Sequence, residues 1–253
     1  MRLAESLSKE TIFAFNCDDF VIYRGVVEAV RKTKRPVIVQ LSPGELDFWG
    51  LKRFIVLVRS EGLPLFVNFD HSRELSLVKK IIDLAPDMIH FDGSELSWEE
   101  NIRLTRQVVK LAHPKGILVE GEPERDQTDP QRAAEFAQRT GVDLIAVFVG
   151  NRHGMDPRRP ERLDFGRLRT IKQKAGRTLL TLHGGSGVAQ EDLKTAIKEQ
   201  LVAKININTQ LRLVYRQELE RQLQSYSGVR VYQLMGPVIN RITGEVLKIL
   251  NFK

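Results

Sequence analysis

The sequence has very little cysteine and no long apolar run. Cys17 has no second cysteine to pair with, which excludes an internal disulfide. No stretch approaches the roughly 18 uninterrupted apolar residues that a membrane-spanning helix needs. Residues 1–6 lack the apolar segment of a secretory signal. We therefore expect a cytoplasmic protein with no membrane partner, in which Cys17 is a small, half-buried residue.

Linkers, low-complexity segments and convincing internal repeats are also missing. The chain has 253 residues, 42% of them hydrophobic, which is enough for a sizeable core. One α/β barrel of roughly 250 residues would use all of them. These features predict one domain that spans residues 1–253.

The formal net charge is +7, which favours anionic partners. Two basic clusters, at residues 31–35 and 158–162, contain no interleaved aromatic residues and no nucleic-acid-binding motif. We interpret both clusters as solvated surface and expect no nucleic-acid partner, so phosphorylated metabolites are the preferred anions.

Short β-branched runs alternate with amphipathic segments along the whole chain. The runs predict buried parallel strands at 11–15, 36–41, 63–69, 88–91, 116–120, 144–149, 179–182 and 202–207. Helices are predicted at 20–32, 47–61, 74–84, 98–112, 130–140, 164–174, 190–199 and 210–223. This alternation predicts an α/β fold, a closed (β/α)8 TIM barrel. An extra C-terminal helix is expected within residues 232–253, after Gly236 and Pro237, packing on the barrel or on a second subunit.

Nearly every predicted strand ends in polar residues, and the carboxyl ends of barrel strands form the active site in this fold. The polar residues at these ends are Asn16, Ser42, Asp70, His71, Asp92, Glu120, Glu122, His153, His183, Asn206, Asn208 and Thr209. We expect them to converge on one mouth of the barrel.

Three of the five histidines, His71, His153 and His183, lie at these strand ends. Three neutral imidazoles that leave one or two positions open for water or substrate form a catalytic zinc arrangement. We interpret His90, inside a strand, and His113, near the end of a helix, as structural.

A glycine-rich turn follows the seventh predicted strand at residues 183–187, with Gly184, Gly185 and Ser186 at its centre. Exposed amides at such a turn and at the following helix N-terminus can hold a phosphate. Barrel enzymes commonly bind phosphate with the loops after strands seven and eight. A phosphate site is therefore predicted here.

These motifs resemble the class II, zinc-dependent fructose-bisphosphate and tagatose-bisphosphate aldolases, in order and at compatible spacing. The similar segments lie at residues 14–16, 40–44, 70–71, 91–94, 99–102, 128–130, 140–143, 153–154, 183–188 and 204–207. The resemblance implies one zinc ion per subunit on His71, His153 and His183. It further implies Asp70 as the carboxylate that handles the hydroxyl proton at the carbon that becomes an aldehyde.

The resemblance also assigns the remaining polar residues at the mouth. It implies contacts to the ketose's phosphate-bearing end from Gly154, Gly184, Ser186, Asn206 and Thr209. Asp92 and Glu122 match carboxylates that offer the metal a second resting position. Asn16 and Ser42 match substrate-contacting positions.

The segment after Glu122 departs from the family pattern. Family members usually carry a glycine-rich, acidic mobile loop here, which holds a second proton-transferring glutamate. This chain has only a short segment up to Asp129, in which Glu124 or Asp126 is a proposed substitute. Ser72 and Asn208 also differ from the common glycine and aspartate, and would alter substrate choice.

The leading hypothesis is a zinc-dependent aldehyde-lyase of carbohydrate metabolism, as in glycolysis, forming a homodimer or homotetramer. It would cleave a ketose phosphate such as fructose 1,6-bisphosphate into dihydroxyacetone phosphate and an aldehyde, with zinc as the Lewis acid that offsets charge on the ketone fragment. The alternative is a zinc- and sugar-phosphate-binding barrel that lost turnover with its loop.

Two other functions have weaker support in the sequence. A zinc hydrolase of this fold usually has His-x-His on its first strand, which here reads Phe13 to Asn16 with no histidine. Nucleic-acid binding rests on net charge alone.

Overall fold

The computed structural model describes residues 2–156, 158–225 and 230–252. Eight parallel strands pair in chain order, and the last pairs with the first to close a barrel. The strands are β1 (Ile12–Asn16), β2 (Val37–Leu41), β3 (Leu65–Ser72), β4 (Met88–Phe91), β5 (Leu118–Gly121), β6 (Leu144–Val147), β7 (Leu179–Leu182) and β8 (Lys204–Ile207). The predicted (β/α)8 TIM barrel is confirmed.

Helices surround the barrel and cover its outward-facing residues. They are α1 (Leu3–Lys9), α2 (Phe20–Thr33), α3 (Leu46–Trp49), α4 (Leu51–Ser60), α5 (Leu75–Asp83), α6 (Trp98–Ala112), α7 (Pro130–Thr140), α8 (Phe165–Lys174), α9 (Gln190–Lys198), α10 (Thr209–Ser225) and α11 (Val231–Leu250). Among the described residues, no helix is both apolar and long enough to cross a membrane.

Helix ends follow local signals where these are strong. The Asp129 carboxylate accepts hydrogen bonds from the amides of Gln131 and Arg132, Pro130 occupies the first turn, and Gly141 ends the helix at φ 76°. These signals explain why α7 has its predicted bounds. The predicted helix at 47–61 is instead two helices, because Gly50 adopts φ 71° between them.

The interior of the barrel is built in layers because alternate residues of each strand point inward. The lowest layer is apolar and contains Ile12, Ala14, Ile38, Phe66, Met88, Leu144 and Ala203. Helix α1, which sequence analysis did not predict, closes this amino-terminal end with Leu3 and Leu7. The middle layer is polar and buried, and contains Gln40, Asn68, His90, Glu120, Thr181 and Lys204.

The extra C-terminal helix, α11, packs on α2 of the barrel. A Cβ added to Gly25 would lie 2.4 Å from Cγ2 of Ile242, so the two helices approach closely there. The Thr243 hydroxyl also donates a hydrogen bond to the carbonyl of Gly25 at 3.2 Å. The helix begins at Val231, before the expected start, and contains Pro237.

Cys17, expected to be half-buried, has no exposed surface. The indole of Trp49 covers it and donates a hydrogen bond to its carbonyl at 2.8 Å.

Candidate active site

Most of the predicted site residues meet in one cavity at the carboxyl end of the strands. Its volume is about 290 Å³. It is lined by Asn16, Ser42, Asp70, His71, His153, Gly154, Gly184, Ser186, Asn206, Asn208, Thr209 and Arg212. A second cavity of about 620 Å³ shares His71 and His153 with it and adds Asp92 and Glu122. The mouth therefore has two compartments that meet at these histidines.

A bulge in β3 turns Asp70 and His71 toward the same mouth. Successive strand residues normally point to opposite faces. Here the pairing of β3 with β4 shifts register between Phe69 and Ser72, so β3 contains one extra residue. His71 absorbs the irregularity at φ 49°, an uncommon value for a residue other than glycine. The carboxylate and the imidazole thus become neighbours.

Four imidazole rings face one another at this point. The ring centre of His71 lies 4.7 Å from that of His90, 5.2 Å from that of His153 and 5.0 Å from that of His183. His90 therefore belongs to the site, which sequence analysis did not expect. His113 lies on the surface and pairs with Asp143 at 2.9 Å, consistent with its structural interpretation.

Two groups of donor atoms in the described chain lie close enough to hold one metal ion each. One contains Asp70, His71, His90 and His183, and the other contains His71, Asp92 and Glu122. His153 is in neither group, although its ring lies 5.7 Å from that of His183. Buried atoms without hydrogen-bond partners include Nε2 of His90, Nδ1 of His183 and Oε2 of Glu122. Imidazole nitrogens and carboxylate oxygens of this kind fit zinc.

A buried ion pair fixes the orientation of the His183 ring. Nε2 of His183 lies 2.7 Å from Oε1 of Glu120, whose other oxygen accepts hydrogen bonds from Thr181 at 2.7 Å and Lys204 at 3.0 Å. None of these side chains is exposed. This carboxylate leaves Nδ1 of His183 free to act as a ligand. Sequence analysis had placed Glu120 at the mouth of the barrel, whereas it lies fully buried in the middle layer, and it had given Lys204 no role.

A chain of hydrogen bonds holds the Asp70 carboxylate. Gln40 donates to Oδ2 of Asp70 at 3.0 Å and to the carbonyl oxygen of the Asn16 side chain at 2.8 Å. Asn16 in turn donates to the hydroxyl of Ser42 at 3.0 Å. Gln40, which sequence analysis did not select, therefore links the two predicted substrate-contacting residues to the predicted base.

The local environment sets the protonation states. Burial lowers the pKa of His153 to about 4, and the neighbouring rings of His183 and His71 act in the same direction. His153 is therefore neutral at pH 7, the form that binds metals. Burial alone would raise the pKa of Asp70, but His71 and the hydrogen bond from His90 outweigh it and lower that pKa well below its usual range.

The Asp70 carboxylate therefore stays ionised. Burial opposes a positive charge on His90, yet its contacts with Asp70 and Glu122 raise its pKa to about 10. The raised pKa of His90 reflects the negative charge of the carboxylates around it.

The loops after β7 and β8 form the other wall of the smaller cavity. A Cβ on Gly184, at φ 64°, would lie 1.8 Å from the carbonyl oxygen of Arg152, so no side chain fits there. The Ser186 hydroxyl accepts hydrogen bonds from the amides of Asn208 at 3.1 Å and Gln210 at 3.2 Å. Together these contacts bring the turn against the start of α10.

Two residues on this wall differ from expectation. The amide of Gly185 donates to the carbonyl of Asn206 at 3.0 Å, so Gly185 supports the wall and does not line the cavity. Arg212, one turn into α10, does line it, with Nε 3.5 Å from the Asp18 carboxylate. Its guanidinium adds positive charge beside the predicted phosphate site.

Glu124 and Asp126, the two proposed substitute bases in the short segment after β5, have different surroundings. Glu124 forms an ion pair with Arg132 at 2.8 Å and accepts a hydrogen bond from the amide of Asp129 at 3.0 Å. Asp126 instead lines the larger cavity with His71 and Glu122.

Comparisons with known proteins agree on one family. The model of the family described as fructose-bisphosphate aldolase class-II matches residues 6–252. A sulfofructosephosphate aldolase of Alkalicoccus urumqiensis is 33% identical over 230 residues, which cover 83% of this chain and 79% of that protein. YdjI of Escherichia coli K12, described as uncharacterized among curated proteins, is 33% identical over 215 residues, or 78% and 76% of the two chains. The crystal structure of YdjI, named there an aldolase, matches with a TM-score of 0.85 at 29% identity, covering 99% of this chain and 94% of that chain.

Proposed function

We propose that this chain, which belongs to the class II fructose-bisphosphate aldolase family, is a zinc-dependent lyase that acts on a ketose phosphate. Family membership and the aldolase relatives establish an aldolase-like lyase. The metal and the sugar phosphate are what we propose. The reaction would release dihydroxyacetone phosphate and an aldehyde.

The observation that carries this proposal is the shared cavity. The Asp70 carboxylate, the imidazoles of His71 and His153 and the glycine-rich wall line the same space of about 290 Å³. A small phosphorylated ketose placed there would contact a base, metal ligands and phosphate-binding groups at once. Holding reacting groups in one geometry is a major source of rate enhancement.

The proposed metal site uses His71, His153 and His183, with one zinc ion per subunit. The buried Nδ1 of His183, which has no hydrogen-bond partner, supports this assignment. When bound there, zinc would act as a Lewis acid for the charge that develops on the ketone fragment.

Asp70 is the proposed base in cleavage and acid in condensation. Gln40 and His90 hold its two oxygens, so the carboxylate is oriented before substrate binds. Because its pKa is low, it is ionised at pH 7 and ready to accept the proton of the substrate hydroxyl. Asp126 is the preferred candidate for the second proton transfer, because Glu124 is already paired with Arg132.

The phosphate-bearing end of the ketose is assigned to the opposite wall. The proposed contacts are Gly154, Gly184, Ser186, Asn206, Asn208 and Thr209, with Arg212 as an addition. Glycine amides and a guanidinium are suited to phosphate oxygens.

The second candidate is a zinc- and sugar-phosphate-binding barrel without turnover. The observation that favours it is that Glu124 is paired with Arg132 and accepts a hydrogen bond from the Asp129 amide. Glu124 is then not available to replace the family's second proton-transferring glutamate. Metal and phosphate binding would be the same in both candidates, so turnover decides between them.

The test is cleavage of fructose 1,6-bisphosphate by zinc-loaded protein, followed by a coupled triose-phosphate assay. Tagatose 1,6-bisphosphate and the sulfofructose phosphate that names the A. urumqiensis relative are tested in parallel. Turnover that a chelator removes and zinc restores is the expected result. Stoichiometric zinc and bound phosphate ester without turnover on any of the three would support the binding protein.

A further inference from the structure

The segment after β5, residues 122–129, stands where the family usually has a mobile loop, and it contains Asp126. Asp126 lines the larger cavity with His71 and Glu122. Among the described residues, its carboxylate has no hydrogen-bond or ion-pair partner. A group that transfers a proton must lie within hydrogen-bond reach of that proton. The contacts that fix this segment therefore decide whether Asp126 can act.

Both ends of the segment are fixed by the barrel. At one end, the side-chain amide of Asn101, from α6, donates to the carbonyl of Glu122 at 2.9 Å. At the other end, the amide of Thr128 donates to the carbonyl of Phe148 at 2.9 Å, and the Thr128 hydroxyl accepts from the Phe148 amide at 2.9 Å. Asn101 and Thr128 are buried. The freedom of the segment is thereby confined to the few residues between these two points.

An ion-pair bridge holds the middle of the segment. Nη1 of Arg125 donates to Oε1 of Glu95 at 2.7 Å, and Oε2 of Glu95 lies 3.1 Å from Nη1 of Arg73. Nε of Arg73 in turn donates to Oδ2 of the buried Asp92 at 2.9 Å. A single exposed ion pair contributes little, and a network of several charges contributes more. The loops after β3, β4 and β5 are thus linked by one chain of charges with Glu95 at its centre.

The loop that carries Glu95 is itself held firmly. The hydroxyl and the amide of Ser94 donate to Oδ1 of Asp92 at 2.6 and 3.2 Å. A Cβ added to Gly93 would lie 2.2 Å from Oδ1 of Asn101, so the loop packs directly against α6. Because its neighbours are fixed in this way, Glu95 can act as an anchor for the segment after β5.

We propose that Glu95 is a positioning residue, which holds Asp126 at the mouth through Arg125 for the second proton transfer. The inference rests on the proposed function and identifies what replaces the mobile loop: a short segment fixed by charge. In condensation, the Asp126 carboxylate accepts a proton from the carbon of dihydroxyacetone phosphate that forms the new bond, and the C–H electron pair passes into the enediolate. In cleavage, the proton returns from Asp126 to that carbon.

The test follows exchange of this carbon-bound proton of dihydroxyacetone phosphate in D₂O by NMR, with zinc-loaded protein and no aldehyde. Asp126→Asn should slow the exchange about 100-fold or more. Glu95→Gln should slow it about fivefold to tenfold, and should have no further effect when added to Asp126→Asn, because the two residues act as one unit. The control is Glu99→Gln, which breaks an exposed pair with Arg139 outside the cavity and should leave the rate unchanged.

A second readout needs neither zinc nor substrate. Amide hydrogen exchange, followed by mass spectrometry, should become faster in residues 124–129 of Glu95→Gln, at an unchanged melting temperature. Arg125→Gln should behave like Glu95→Gln, whereas Arg125→Lys keeps the positive charge and should retain most of the protection.

Unchanged carbon and amide exchange in Glu95→Gln would overturn the proposal, as would additive effects of Glu95→Gln and Asp126→Asn. Absence of dihydroxyacetone phosphate exchange in the unaltered protein would also overturn it. If that exchange is present and none of the three ketose phosphates is cleaved, the proposed substrate is wrong and the role of Glu95 stands.

Discussion

The two ends of the barrel are built from the same eight strands but serve opposite purposes. At the amino-terminal end, Phe66 and Met88 pack in an apolar layer that α1 closes with Leu3 and Leu7. At the carboxyl end, inward positions carry carboxylates and imidazoles, several with buried atoms that lack partners. Buried unsatisfied groups destabilise a fold. The apolar packing at the amino-terminal end therefore offsets the cost of the unsatisfied groups at the carboxyl end.

The largest expected effect tests the carboxyl end. Asp70→Asn removes the proposed base and keeps the size of the side chain, but replaces one of its two acceptor oxygens with an amide donor. We expect turnover to fall about 10³-fold, within the range of general acid–base catalysis, while zinc content and melting temperature stay the same. Steady-state kinetics and metal analysis check this. The exposed carboxylate of Asp83 gives the control variant, Asp83→Asn. Full activity in Asp70→Asn would contradict the assigned role.

Lys204 lies between the two ends, so its removal should affect both. Lys204→Met leaves Glu120 buried without its cation, and breaking a buried pair costs about 3–5 kcal/mol. Because Glu120 also orients His183, zinc affinity should fall about 10-fold or more. Urea unfolding and zinc titration measure the two effects. Lys198→Met, on the exposed face of α9, serves as the control. A change in stability without any change in zinc affinity would show that the pair does not support His183.

The amino-terminal end should affect stability alone. Leu7→Ala removes buried methyl groups from the contact of α1 with the barrel, at a cost of about 2–3 kcal/mol in the free energy of unfolding. Turnover per folded molecule should not change. The comparison variant is Leu223→Ala, because Leu223 is 56% exposed and its truncation should cost little. If Leu7→Ala lowers kcat per folded molecule, packing at the amino-terminal end affects the active site, and the two ends do not have separate roles.

The smallest expected effect concerns the cavity wall formed by the loops after β7 and β8, which is proposed to bind phosphate. Arg212→Met should raise KM for a phosphorylated ketose about tenfold with little change in kcat, because it removes binding made equally in ground and transition states. Arg216, on the next turn of α10, pairs with Glu220 and gives the control Arg216→Met. If Arg212→Met and Arg216→Met have the same KM, Arg212 does not contact the substrate phosphate.

Much of the fold could be predicted because its signals are local. Apolar runs separated by amphipathic segments indicate the strand and helix order, and the signals at Asp129, Pro130 and Gly141 define α7 to the residue. Helix α1 was missed because its seven residues carry too little pattern to be recognised alone. Its position depends on the apolar layer that it covers.

Part of the site could also be predicted from the sequence. Polar residues directly after each apolar run were found, since the carboxyl ends of barrel strands meet. Apart from Glu120, the middle layer was not found. Its other members each lie two residues before a selected one: Gln40 before Ser42, Asn68 before Asp70, His90 before Asp92, Thr181 before His183 and Lys204 before Asn206. The period-2 alternation of inward positions is the signal that would have found them.

The sequence by itself determined the order of strands and helices, the polar chemistry at the strand ends and the family resemblance, because each of these depends on patterns among residues that are close together along the chain. Tertiary structure alone decided which imidazoles meet, that a bulge in β3 turns His71 toward the mouth, and that Arg212 lines the same cavity. These outcomes depend on strand register and barrel closure. They bring together residues that are far apart along the chain, whose distances no local pattern contains.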